Sequence, residues 1–222
     1  MADYEYTEKQ VLTWAKSAYN DWNAEFEINA SQTALLVIDI QDEFTKPGMT
    51  PYWVPEATRI VPDINRMIAH CRTMNIPIIF TLFTKTHSYK DRPRSGRYMP
   101  NRYRNLDIDQ SSFFVDSKLY EKLDYRPDDL LIYKPSYGAF YDTPLETMLK
   151  NLERDTVIIS GCLTNYCCGT TARQAYERGY KVVFGSDINA TDLPEMHENE
   201  LKVLRKGFAK IMTADNIIAE LK

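Results

Sequence analysis

Asp39, Lys134 and Cys167 are the residues of this 222-residue chain whose types and settings could do chemistry together. Asp39 lies in the apolar run 34–40, Lys134 directly follows the run 130–133, and Cys167 comes soon after the run 156–160 and Gly161. From Thr164 the pattern turns helical, with Ala172, Ala175 and Tyr176 spaced for a buried face and Gly179 as a stop. Cys167 is therefore expected in a first helical turn, where free N–H groups and the helix dipole favour a thiolate. A nearby ammonium would draw the thiol pKa from ~8.5 towards neutrality. A nearby carboxylate could take the thiol proton and later return it to a leaving group. Each residue alone has a plainer reading. Cys167 could pack with Cys162 and Cys168 as small core hydrophobes. Asp39 could cap a strand-end amide, and Lys134 could be a solvated surface lysine.

The chemical reading requires elements that bring the three together. Strands are expected at 34–40, 76–83, 130–133, 156–160, 181–184 and 208–212. Helices are expected at 56–74, 143–152, after Cys167, at 195–206 and at 214–221. This alternation predicts an α/β fold: a doubly wound, six-stranded, mainly parallel sheet with helices on both faces and right-handed crossovers. Ligands in such folds bind outside the carboxyl ends of the strands, which is where the three residues fall. A helical pattern over 5–28, with Val11, Leu12, Trp14, Ala15 and Tyr19, precedes the first strand. Residues 1–32 thus read as an N-terminal helical extension, packed on the main domain or on a partner subunit, and 33–222 as the domain.

Composition narrows the function. A net charge of −4 argues against nucleic acid as a partner. No apolar run approaches the ~20 residues that span a bilayer. The acidic N-terminus lacks a signal-peptide core, so a cytoplasmic location and reduced cysteines are expected. The cysteines at 71, 162, 167 and 168 form no CxxC pair and no zinc framework, and a Cys167–Cys168 disulfide is disfavoured. Residues 85–104 carry Lys85, Lys90, Arg92, Arg94, Arg97, Arg102 and Arg104 against Asp91 alone. That loop reads as a solvated or subunit-facing surface, or as one whose arginines grip a substrate carboxylate. Tyr89, Tyr98 and Tyr103 interleave with its charges, but the acidic remainder disfavours nucleic acid. A nucleotide-binding module is disfavoured too, because Gln41–Phe44 after the first strand has no glycine to cradle a phosphate.

The landmarks Asp39-Ile-Gln-Asp-Glu-Phe44, Lys134 with Ala139-Phe140, Gly161-Cys-Leu-Thr-Asn-Tyr-Cys167, Thr171-Ala-Arg173 and Ser186-Asp187 occur in order. In this the chain resembles the isochorismatase-like cysteine hydrolases, from about Thr33 to Ile217. The resemblance implies a catalytic triad of Asp39, Lys134 and Cys167. It implies an oxyanion hole from the backbone amides of Leu163 and Cys167, and a cis peptide between Cys162 and Leu163. Phe44, Phe140 and Tyr166 would line a substrate pocket, with core packing as the plain alternative, and His87 is assigned with them. The nicotinamidase branch holds a metal through an Asp and several histidines after the second strand. Here that region offers only His87, with His70 expected beside Cys71 in a helix and His197 on a surface helix, so no metal and no cofactor are expected. Cys168 departs from the apolar residue usual after the nucleophile. True isochorismatases lack the cysteine at position 167. The implied activity is hydrolysis of a small non-peptide amide, carbamoyl or ureido compound through a thioester, releasing ammonia or an amine, in a homo-oligomer, dimer or tetramer. An isochorismatase-type or nicotinamidase-type hydrolase, or a non-catalytic binding module, are the alternatives.

Overall fold

The first strand, β1 (Thr33–Ile38), is buried along its whole length, as a run of β-branched and leucine side chains in a two-sided sheet must be. In this computed structural model, which describes residues 5–85, 90–99 and 108–222, five further strands join it. They are β2 (Ile78–Phe83), β3 (Leu130–Lys134), β4 (Thr156–Cys162), β5 (Lys181–Ala190) and β6 (Lys210–Met212). The order is β3-β2-β1-β4-β5-β6, and every neighbouring pair is parallel. The order therefore reverses between β1 and β4. Their carboxyl ends frame the crevice where a doubly wound sheet binds ligands.

The helices in chain order are α1 (Glu8–Asn20), α2 (Asp42–Thr45), α3 (Pro55–Arg59), α4 (Val61–Thr73), α5 (Leu145–Asn151), α6 (Gly169–Glu177), α7 (Pro194–Gly207) and α8 (Ala214–Glu220). Side chains of β1 alternate between the two faces. Leu35 and Val37 pack with Ile64, Met67 and Ile68 of α4 and Ile217 of α8. Ala34, Leu36 and Ile38 pack with Leu145 of α5, Ala172 of α6 and Leu204 of α7. Each fully buried Leu or Ile contributes roughly 1.5–3 kcal/mol, enough to fix the register of the central strands.

Four details differ from the expected elements. β1 stops at Ile38, because Asp39 takes a left-handed φ of 52°. The pattern over 5–28 gives α1 alone, opened by a Thr7–Gln10 capping box. The chain then leaves the helix and Asn23 pairs both backbone groups of Ile211, at 2.8 Å each, covering the β6 edge. The pattern over 56–74 breaks at Ile60 into α3 and α4, and Pro62 sits in the first turn of α4, where a missing N–H costs nothing. β5 continues to Ala190 through a bulge opposite Ile159 and Gly161, closed by Asn189 Nδ2 donating to Ile159 O at 2.8 Å and Gly185 O at 2.7 Å. The expected strand ended at Phe184, where the bulge residues begin. Among the described residues no helix is long and apolar enough to cross a membrane.

At Gly161, β4 lies tight against Ile38 of β1. The glycine has φ 127°, and a Cβ there would run into the Ile38 carbonyl. Gly161→Ala should lower stability by at least ~1–3 kcal/mol from backbone strain alone, read as a shifted midpoint in urea unfolding with an unchanged slope.

Candidate active site

Sheet register places the three candidate residues. Ile38 pairs with Thr81 of β2 on one side and Gly161 of β4 on the other, so Asp39 emerges between both strand ends. Phe83 pairs with Lys134, which sets the lysine one strand further out. Asp39 is fully buried and Lys134 Nζ lies 2.7 Å from its Oδ2. Thr81 Oγ1 donates to Oδ1 at 2.7 Å and accepts the Asp39 N–H at 3.3 Å. The Asp39 carbonyl accepts from Cys162 Sγ at 3.2 Å. Lys134 Nζ also donates to the carbonyls of Ser136 and Tyr137, both at 2.9 Å. The tight turn after β3 thus folds back onto the ammonium and fixes it.

Cys167 completes the cluster at 2% exposure, within hydrogen-bonding reach of both Asp39 and Lys134. It sits in a π-helical turn, Thr164–Cys168, just ahead of α6 and not in the helix's first turn as expected. The peptide between Cys162 and Leu163 is cis. Thr171 Oγ1 donates to the Cys167 carbonyl at 2.7 Å and accepts the Ala139 N–H at 2.9 Å. One buried hydroxyl therefore ties the cysteine turn to the segment that holds Lys134.

Burial controls the electrostatics. It raises the Asp39 carboxyl above its ordinary 3.8, against the pull of Lys134 and Thr81. Burial would lower the Lys134 ammonium, but Asp39 and Cys167 together outweigh it and the net direction is up. Burial pushes the Cys167 thiol up to about 12; Lys134 opposes this and Asp39 adds to it. The expected fall of the thiol towards neutrality is thus corrected. Residue spacing cannot report desolvation, which here exceeds the help from the ammonium. At rest the arrangement is a protonated thiol beside an ion pair whose carboxylate is a strengthened base.

Aromatic rings form the outer wall. The Phe83 ring lies 5.0 Å from Lys134 Nζ, Tyr137 stacks on it at 6.2 Å, and Tyr166 meets Tyr137 at 5.4 Å. The Arg92 guanidinium stands 4.1 Å over Phe83. Burial raises the Tyr137 hydroxyl's pKa, with Cys167 adding to the rise and Arg92 opposing it. Tyr166 is at this rim, about half exposed. Phe44 packs on Phe83 and Phe114 in the core, one ring away from Lys134. Phe140 takes the packing alternative: it lies in the core with Tyr180 at 5.7 Å and Arg178 at 5.0 Å over its ring. His87 lies outside the described residues. Among the described residues no three His, Cys, Asp or Glu side chains are grouped to hold a metal ion.

Several residues of the site escaped sequence reasoning. Thr81 had a signal, as the one hydroxyl in the apolar strand Ile78–Phe83. Gln41 and Glu43 are scaffolding. Gln41 pairs with both backbone groups of Phe83, at 2.8 and 3.0 Å, and donates to buried Glu43 at 2.9 Å. Glu43 in turn accepts from Phe114 N at 3.1 Å and Ser117 Oγ at 2.6 Å.

The isochorismatase domain family model matches residues 33–216, and the chain belongs to that family of hydrolases. It is 32% identical to nicotinamidase 3 of Arabidopsis thaliana over 85% of this chain and 88% of that protein. It is 27% identical to enterobactin synthase component B of Escherichia coli (strain K12), over 89% of this chain and 65% of that protein. It is 25% identical to ureidoacrylate amidohydrolase RutB of Methylorubrum extorquens, over 81% and 79%. Among solved structures, a cysteine hydrolase from Pseudomonas syringae pv. phaseolicola 1448A superposes with a TM-score of 0.80 at 26% identity, over 90% of this chain and 97% of that one.

Thr81→Val removes a hydrogen bond to the charged form of Asp39, so the carboxyl pKa should rise further. If Asp39 is the base, the acid limb of kcat/KM should move to higher pH while the alkaline side stays in place.

Proposed function

We propose that this protein is a cysteine-dependent amidohydrolase acting on a small non-peptide amide, carbamoyl or ureido compound. The observation that carries this reading is the sealed contact of Cys167 with the Asp39–Lys134 ion pair at the reversal point of the sheet. The Cys167 thiol proton passes to Asp39 as sulfur attacks the carbonyl carbon. Lys134 steadies the negative charge that develops on sulfur as the carboxylate gives up its own. The N–H groups of Leu163 and Cys167 hold the oxyanion; a single donor of that kind is worth ~10²–10³ in rate. The C–N bond breaks as the proton moves from Asp39 to the leaving nitrogen, giving a thioester and ammonia or an amine. Water then gives its proton to Asp39 and attacks the thioester, and the departing sulfur takes that proton back.

A nicotinamidase and a ureidoacrylate amidohydrolase among the relatives support cleavage of a C–N bond. The identity to nicotinamidase 3 favours one second reading, a nicotinamidase-type hydrolase. Ammonia release from a panel of primary amides, ureido acids, carbamoyl compounds and nicotinamide separates them. Activity on ureido or carbamoyl compounds that survives exhaustive chelation supports the first reading. Activity confined to nicotinamide and lost on chelation supports the second.

Cys167→Ala should abolish release by the true substrate, and Asp39→Asn and Lys134→Met should each remove most of it. The losses should not add in the double variant, because the groups act as a unit. Substantial turnover by Cys167→Ala would sink the mechanism.

Among the described residues, Arg92 is the basic-loop residue that stands at the aromatic rim, and in this reading it receives a substrate carboxylate. One charge-assisted hydrogen bond is worth ~1.5–3 kcal/mol. Arg92→Gln should therefore raise KM roughly 10- to 100-fold for a carboxylate-bearing substrate and leave a neutral amide of the same shape unaffected. Equal effects on both would return the arginine to a packing role.

A further inference from the structure

His197, expected on a surface helix, is half-buried and reaches inward from α7. Its Nε2 lies 2.9 Å from the Ser186 carbonyl on β5, and its Nδ1 lies 2.8 Å from Thr164 Oγ1. A carbonyl oxygen can only accept, so Nε2 carries the proton. In the neutral ring Nδ1 is then the acceptor, and the Thr164 hydroxyl donates to it. Thr164 is the first residue of the π-helical turn that ends in Cys167 and Cys168. Its carbonyl accepts from Gly169 N, and the Leu163 carbonyl before it accepts from both Tyr166 N and Cys168 N at 3.1 Å. A shift of Thr164 would thus be passed along the turn to the thiol.

α7 also grips α6, the helix that continues directly from this turn. Glu200, one helical turn after His197, forms a salt bridge with Arg173 of α6, its Oε2 at 3.1 Å from Arg173 Nη2. This carboxylate passes directly over Gly169, where a Cβ would collide with Glu200 Oε1. The far side of the turn is held by Thr191 Oγ1, which donates to Asn165 Oδ1 at 2.7 Å. Neither His197 nor Glu200 is a member of the Asp39–Lys134–Cys167 cluster.

We propose that His197 is a positioning residue for the nucleophile. Through Thr164 it sets the pose of the π-turn, and so holds the Cys167 sulfur against Asp39 and Lys134. The proposal rests on the reading of Cys167 as nucleophile. It does not depend on which amide is cleaved, because the reactivity of the thiol reports the pose.

The test is the second-order rate of iodoacetamide modification at each of the four cysteines, read by peptide mass on the full chain without substrate. The wild type should react first at Cys167; preferential reaction elsewhere counts against the nucleophile reading itself. His197→Ala should slow Cys167 about five- to tenfold, the scale of one lost hydrogen bond, without accelerating the other three. His197→Gln keeps an acceptor and a donor side by side and should restore most of the rate. Thr164→Val should slow Cys167 as His197→Ala does, and the double variant should be no slower than either. An unchanged Cys167 rate in His197→Ala overturns the proposal. So does faster labelling of all four cysteines, which is the signature of a helix that merely stabilises the fold.

Discussion

A carboxylate and an ammonium without any exposure, 2.7 Å apart at the ends of two strands, are the constraint around which this molecule is arranged. Taking two such charges out of water costs several kcal/mol each, and their attraction offsets that only when the remaining polar valences are met. Thr81 meets one for Asp39, and the carbonyls of Ser136 and Tyr137 meet two for Lys134. Removing either charge alone would leave the other stranded, at a cost of ~3–5 kcal/mol. In the proposed reading, catalytic competence and folding are coupled at this pair. The turn after β3 and the hydroxyl in β2 therefore belong to the site as much as the charged groups do.

The same burial gives the pair its chemical character. A solvated thiol beside a lysine would ionise and wait as a thiolate. Here the thiol is held protonated and the carboxylate has become a better base. In the proposed reading, charge separation is deferred until a substrate carbonyl arrives to share it. Exclusion of water also shields the later thioester from premature reaction. The aromatic wall of Phe83, Tyr137 and Tyr166 stands beside the pair, with Arg92 over the Phe83 ring.

Much of this was legible in the sequence, for a physical reason. Strands buried on both faces read as continuous apolar runs, so six strands and their alternation with helices could be placed. The rule that ligands gather at the carboxyl ends then brought Asp39, Lys134 and Cys167 together. What could not be read depends on three-dimensional closure. The thiol pKa turns on desolvation, which no spacing encodes. The β5 bulge uses Gly185 and Ser186, residues that signal a turn equally well. Phe140 and Tyr166 are both aromatic and both near a reactive residue, yet one packs under Arg178 and the other stands at the rim. His197 sits amid polar helix residues, and only the fold shows it bridging Thr164 and Ser186.

The central claim is that Asp39 activates a protonated Cys167 by taking its proton. The most direct test is the pH dependence of Cys167 alkylation, compared between the wild type and Asp39→Asn. The account predicts that the wild-type rate rises with deprotonation of Asp39, above the ordinary aspartate value of 3.8, and then stays level through the usual thiol range near ~8.5. The Asn variant should lose that plateau. A wild-type rate that rises only at the usual thiol pKa, and is unchanged by Asp39→Asn, would contradict it.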